Sequence, residues 1–211
     1  MLHLFALFLL AQFREKRAYA PIVKMFSAPG ETPFDLAGDT ATEGLSRIVA
    51  SVYDGNPLPL HGLIESEEVN EYVRGAAMNA FLVLEHTGQM YRDEAVGYFR
   101  SLFHGKLQRQ HSYAWDGLVC AVADLPAPEL LEEVRQAYAD NLVDPTVADL
   151  EGIEDDWGAQ KPWRGSLLLG GAASTDPPAF GRQELIIIST RCPSALMIFD
   201  REGYSSNIEA T

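Results

Sequence analysis

Asn70-Glu71-Tyr72-Val73-Arg74-Gly75-Ala76-Ala77-Met78-Asn79-Ala80-Phe81-Leu82-Val83-Leu84-Glu85-His86-Thr87-Gly88 is the stretch that decides the fold class. Tyr72, Val73, Ala76, Ala77, Ala80, Phe81 and Leu84 recur at the three- and four-residue spacing of one helix face, which predicts a helix over 71–87. Asn70 stands where a side-chain oxygen reaches the orphan N–H groups of the first turn. Gly88 stands where a left-handed residue ends a helix. The alanines on the stripe are small enough for a neighbouring backbone to approach closely.

Outward from this segment the same spacing repeats. Downstream, it predicts a helix over 92–104, with Ala95, Val96, Phe99, Leu102 and Phe103 inward, and another over 108–125, with Ala114, Leu118, Ala121, Val122 and Leu125. Pro128 opens a helix over 128–140 at a position where its missing N–H costs little. Glu129, Glu132 and Glu133 lie in that first turn and suit the helix dipole. A short helix is expected over 146–156. Upstream, Asp54-Gly55-Asn56-Pro57 is a turn, flanked by a short helix over 58–65 and one over 41–53 carrying Leu45, Ile48, Val49 and Val52 on one face. Residues 31–40 read as a loop. Pro29-Gly30 stops a helix over 18–27 with Tyr19, Ile22, Val23 and Phe26 inward. Residues 2–13 are apolar on nearly every side, a pattern that other helices must cover.

The organisation is helix, short turn, helix, repeated. The expected pairs are 2–13 with 18–27, 41–53 with 58–65, 71–87 with 92–104, and 108–125 with 128–140. Their interval of about 35–40 residues is that of helical solenoid repeats. The fold class expected is all-α: a right-handed array of antiparallel helical hairpins, a HEAT-like α-solenoid, with an irregular C-terminal tail. The repeat domain is expected to span 1–157 and the tail 158–211. Residues 1–157 hold 25 acidic and 11 basic side chains, whereas 158–211 hold 5 of each. Helical periodicity stops at the same point.

The net charge of −14 argues against nucleic acid, whose binders need a basic face, and against an anionic membrane surface. It favours basic or neutral partners. The first ten residues and Ala18-Tyr19-Ala20 look like a signal peptide and its cleavage site. No positive charge precedes the apolar run, however, and Arg14-Glu15-Lys16-Arg17 interrupts it. A buried helix is the better reading. Cys120 and Cys192 are the two cysteines, which suits a reducing compartment, so a cytoplasmic location is expected. Cys120 lies in an apolar run and reads as a small buried hydrophobe.

The five histidines form no His-Glu-x-x-His pair, and no Gly-x-Ser-x-Gly elbow or phosphate loop is present. No catalytic, cofactor or metal residues are assigned. Arg14 and Arg17 belong to the basic cluster between the first two helices, read either as a contact for an acidic partner or as a solvated turn. Arg74 sits within an apolar helix face, as an interior arginine of a repeat protein does when it bonds a carboxylate of the next repeat; Asp35 or Asp39 is the expected acceptor. Tyr113 and Trp115 read as core.

Leu9-Leu10-Ala11-Gln12-Phe13-Arg14-Glu15-Lys16-Arg17-Ala18-Tyr19, Pro29-Gly30-Glu31, Asp35, Gly38-Asp39, Ser46-Arg47-Ile48-Val49-Ala50-Ser51-Val52, Val69-Asn70-Glu71-Tyr72-Val73-Arg74 and Leu142-Val143-Asp144-Pro145 resemble a bacterial family labelled domain of unknown function 1186. The resemblance covers about residues 1–160 and implies a helical, HEAT-like hairpin array with no established activity. Some members of that family carry a C-terminal cysteine-rich zinc motif. Cys192 stands alone where a zinc site needs about four ligands, so no metal residue is carried over. Family members usually have a further helical stretch before the point matching Met1, which implies a truncated start here. They also continue as helix after the acidic segment. Reverse translation of residues 160–166 with GC-rich codons, shifted by one base, yields a helix-forming run, so an out-of-frame tail is expected.

Three functions are consistent with this reading. The leading one is a non-catalytic scaffold that binds a protein partner. The others are an inactive, truncated family member and an enzyme of unrecognised type that uses carboxylates for acid–base work.

Overall fold

The computed structural model describes residues 2–125 and 127–158. Every regular element among them is helical. In chain order the α-helices are α1 (Leu2–Gln12), α2 (Tyr19–Phe26), α3 (Thr32–Ala37), α4 (Thr40–Glu43), α5 (Leu45–Val52), α6 (Leu58–Glu65), α7 (Glu71–His86), α8 (Arg92–Ser101), α9 (Tyr113–Asp124), α10 (Leu131–Ala139) and α11 (Leu150–Gly158), with short helical turns of other pitch at Lys16–Ala18, Leu102–Lys106 and Pro128–Leu130. The expected tail over 158–211, with its shifted-frame reading, lies outside the described residues apart from Gly158.

The helix predicted over 71–87 is α7. Asn70 caps it by accepting the Tyr72 N–H at 2.9 Å, and Gly88, at φ 69°, follows its end. Its burial exceeds a single stripe. Arg74, Gly75, Met78, Leu82 and Val83 are buried as well as Val73, Ala76, Ala77, Ala80, Phe81 and Leu84. The reason is position. α7 packs between α5 and α9, with α4, α6 and α8 also against it. Tyr72, expected on the inner stripe, is 47% exposed.

The principal contacts run along a row in chain order: α1 on α5, α5 on α7, α7 on α9. α2 packs on α6 and α5. The core is continuous through these helices, with Tyr19, Phe26, Phe81, Phe99 and Trp115 fully buried. At the crossing of α7 and α9 the backbones nearly touch. A Cβ added to Gly117 would lie 2.5 Å from the Gly75 Cα, so that position requires glycine for closeness rather than for dihedral freedom, while a Cβ at Gly75 would meet the Tyr113 ring at 3.2 Å.

Several boundaries depart from the sequence reading, among them the helix expected over 41–53, which breaks at Gly44 into α4 and α5. Residues 31–40 are not a loop. Pro33 sits in the first turn of α3, where no N–H is needed, and Gly38 adopts φ 54°, ψ −140°, which separates α3 from α4. The helix expected over 108–125 starts only at Tyr113. Its first N–H donates to the Glu71 carboxylate of α7 at 2.6 Å, and the preceding Gln108 carbonyl accepts the Trp115 indole N–H at 2.8 Å. The helix expected over 146–156 begins four residues later, because the Asp144 carboxylate takes both the N–H and hydroxyl of Thr146 and Asp149 accepts the Gly152 N–H.

The cover expected for the first helix is partial. α1 buries Leu7 and Ala11 and leaves Leu2, Phe5, Phe8 and Leu9, with Phe13 just beyond, exposed. No helix among the described residues is long and apolar enough to cross a membrane.

Candidate functional site

An open cleft of about 390 Å³ lies where α3 and α4 face α7 and α9. α7 contributes Tyr72, Gly75, Ala76 and Asn79, one helix face at three- and four-residue spacing. α9 contributes Tyr113, Gly117 and Cys120 on the same principle. Glu31, Phe34, Thr42 and Asn70 complete the lining. The glycine crossing brings the two walls together, and the Glu71–Tyr113 bond ties the start of α9 to the start of α7. A carboxylate at a helix N-terminus also gains from the dipole.

Glu31 and Asn70 of the lining are ordered by short bonds. Glu31 Oε1 accepts from Asn70 Nδ2 at 2.9 Å, while the same asparagine caps α7. The Tyr72 and Tyr113 rings form one aromatic wall, their centroids 4.5 Å apart and tilted by 37°. Cys120 is buried, as its apolar run predicts. Trp115 is core, also as read, but Tyr113 is half-buried and lines the cleft.

The sequence-predicted polar residues do not assemble into this site. Arg74 is buried, and its Nε–H donates to the Ile64 carbonyl at the end of α6, at 2.7 Å. Its Nη2 is buried with no hydrogen-bond partner among the described residues. The acidic groups facing it are Glu67 and Glu71, and burial lowers its pKa. Asp35 and Asp39, the expected acceptors, are instead exposed on and before the short helices α3 and α4. Arg17 is exposed and grips its neighbour Glu15 through two side-chain bonds, which hold the Glu15 carboxyl down to about 2. Arg14 lies in the same turn at φ 52°. This cluster is a helix connection, remote in sequence and lining from the cleft.

A second polar cluster backs α7 on its other side. His61 stacks on Tyr98 with centroids 3.8 Å apart and planes within 5°, and it lies 5.8 Å from Phe81. Lys106 sits over the Tyr98 ring and pairs with Glu65 at 3.0 Å. Burial, then the Lys106 charge, lower the His61 pKa. Asp116, buried in α9, has its pKa raised by burial and accepts the Asp144 N–H at 2.7 Å, so it anchors the segment after α10 rather than facing a ligand.

The model of the family described as Protein of unknown function (DUF1186) matches residues 1–162. The chain belongs to that family. An uncharacterized protein of Chlamydia trachomatis serovar D is 40% identical to this DUF1186 chain over 152 residues, covering 72% of this chain and 60% of its own length. An uncharacterized protein of Chlamydia muridarum is likewise 40% identical over 152 residues, covering 72% and 61%. The chain thus spans about three fifths of the curated DUF1186 relatives it matches. No solved structure matches.

Proposed function

We propose that this chain is a non-catalytic helical-repeat scaffold whose cleft between α3–α4, α7 and α9 receives a segment of a partner protein. The row of α1, α5, α7 and α9 in chain order, with α2 and α6 packed beside it, is consistent with stacked HEAT-like hairpins, each burying its face on the next. The observation that carries the proposal is the cleft itself: open, walled by two tyrosines and floored by a glycine crossing. Tyrosine supplies large, rigid contact area and is enriched where proteins meet. A cytoplasmic setting fits the low cysteine content.

A photo-crosslinking residue placed at Tyr72 in cells tests this. The expected result is one discrete adduct, absent when the same residue replaces the remote and more exposed Tyr91. Equal labelling at both positions would remove the cleft from consideration.

A second reading, an inactive family member, has one observation in its favour, the exposed apolar face of α1. It requires the chain to bind an apolar dye at α1 and to yield no adduct at Tyr72.

A further inference from the structure

We infer that the cleft's occupant is a cationic side chain, arginine or lysine, carried by the partner segment; this rests on the scaffold reading above. Among the described residues the lining holds one anion, Glu31, and no cation. Glu31 is held by one oxygen only, the Oε1 that accepts from Asn70; its Oε2 has no hydrogen-bond partner among the described residues and is a ready acceptor for an N–H. Asn79 reaches the same cleft from the middle of α7, half-buried, with its side-chain amide making no bond to any described residue. An amide oxygen left open in a half-buried site is a second acceptor.

The wall between these groups is aromatic. A cation seated over a tyrosine face is drawn to the negative face of the ring, and the Tyr72–Tyr113 wall offers such a face on the exposed Tyr72. Glu71 lies directly behind Tyr113, its carboxylate taking the Tyr113 backbone N–H, and adds negative potential to that wall. The aliphatic stem of a lysine or arginine suits the remaining lining, Phe34, Ala76 and the glycine floor. An anionic occupant finds no charged donor among the described lining residues, and a wholly apolar one covers Glu31 Oε2 and the Asn79 amide without giving either a partner. At longer range the excess of 25 acidic over 11 basic side chains in 1–157 steers a basic segment toward the chain.

The experiment is an NMR titration of the isotopically labelled full chain with capped pentapeptides Gly-Ser-X-Ser-Gly, X being arginine, lysine, norleucine or glutamate. Arginine and lysine peptides are expected to shift the amides of Tyr72, Asn79, Tyr113 and Gly117 in a saturable way. Norleucine and glutamate peptides are expected to bind at least about tenfold more weakly, the scale of one charge-assisted contact. Glu31→Gln, on an exposed residue that the fold does not need, should weaken the arginine peptide by about three- to tenfold with the spectrum otherwise unchanged, and Tyr72→Phe should retain binding that Tyr72→Ala loses. Norleucine binding as well as arginine, or Glu31→Gln leaving affinity intact, overturns the inference. So does free arginine amide binding as tightly as the peptide, because the source is then a small molecule. The two readings separate cleanly. An adduct at Tyr72 without cation selectivity sinks the inference alone, and cation-selective peptide binding without an adduct sinks the partner reading alone.

Discussion

α1 is apolar on nearly every face and α7 on one stripe, yet α7 is enclosed and α1 is not. α7 has α5 on one side, α9 on the other, and α4, α6 and α8 around it; Phe81 is fully buried. α1 lies on α5 and touches α3 where His3 meets the Leu36 carbonyl, while Phe5 is 67% exposed. Apolar sequence therefore carries different energetic weight in the two helices. Burying a large apolar side chain stabilises by about 1.5–3 kcal/mol, and α7 realises that on every turn where α1 realises it only at Leu7 and Ala11.

The largest test of this contrast is Phe81→Ala, expected to cost about 3–5 kcal/mol in a denaturant titration because it opens a cavity between His61, Tyr98 and Phe99. A loss below about 1 kcal/mol would mean that α7 is not the enclosed centre.

Gly117→Ala probes the same enclosure from the backbone. The added methyl meets Gly75 Cα at 2.5 Å, and overpacking of this kind costs about 1–3 kcal/mol. Gly97→Ala in the exposed face of α8, where a Cβ meets nothing within 4 Å, should stabilise by about 0.5–1 kcal/mol instead. Equal signs for the two alanines would break the picture of a close helix crossing.

His61 offers a pH readout of the covered side. Its folded pKa is lowered below the unfolded value by burial and by Lys106. As pH falls below about 6.5 the unfolded chain takes up the proton first, so the native state loses stability from there down to the folded pKa. Melting at pH 7.5 and 5.5 should show a larger drop for the wild type than for His61→Phe. The smallest effect belongs to α1: Phe5→Ala should change stability by less than about 0.5 kcal/mol, and a larger loss would show that its face is covered in solution.

The long central helix was legible because three signals coincide there: Asn70, the apolar stripe and Gly88. The short helices α3 and α4 were not, because runs of six and four residues between Pro33, Gly38 and Gly44 are too brief to show a period. The late start of α9 was hidden because Glu71, which caps it, is 42 residues away. Arg74 was rightly read as interior but its bond goes elsewhere, since the acceptor of its Nε–H is a backbone carbonyl at a helix end, which leaves no mark in sequence. The cleft escaped for a related reason. Tyr72, Gly75, Ala76 and Asn79 follow the spacing that also builds core, and only the polar Asn79 among small residues hinted at a face that is not wholly packed.

The double tie between α7 and α9 has a kinetic consequence. The two walls are fastened at one end by Glu71 and pressed together mid-length at Gly75 and Gly117, so they cannot part like jaws. That side of the cleft is preformed, so under the scaffold proposal association is expected to run at the rate set by collision and charge rather than by opening, with differences in affinity among partners expected in how long each one stays.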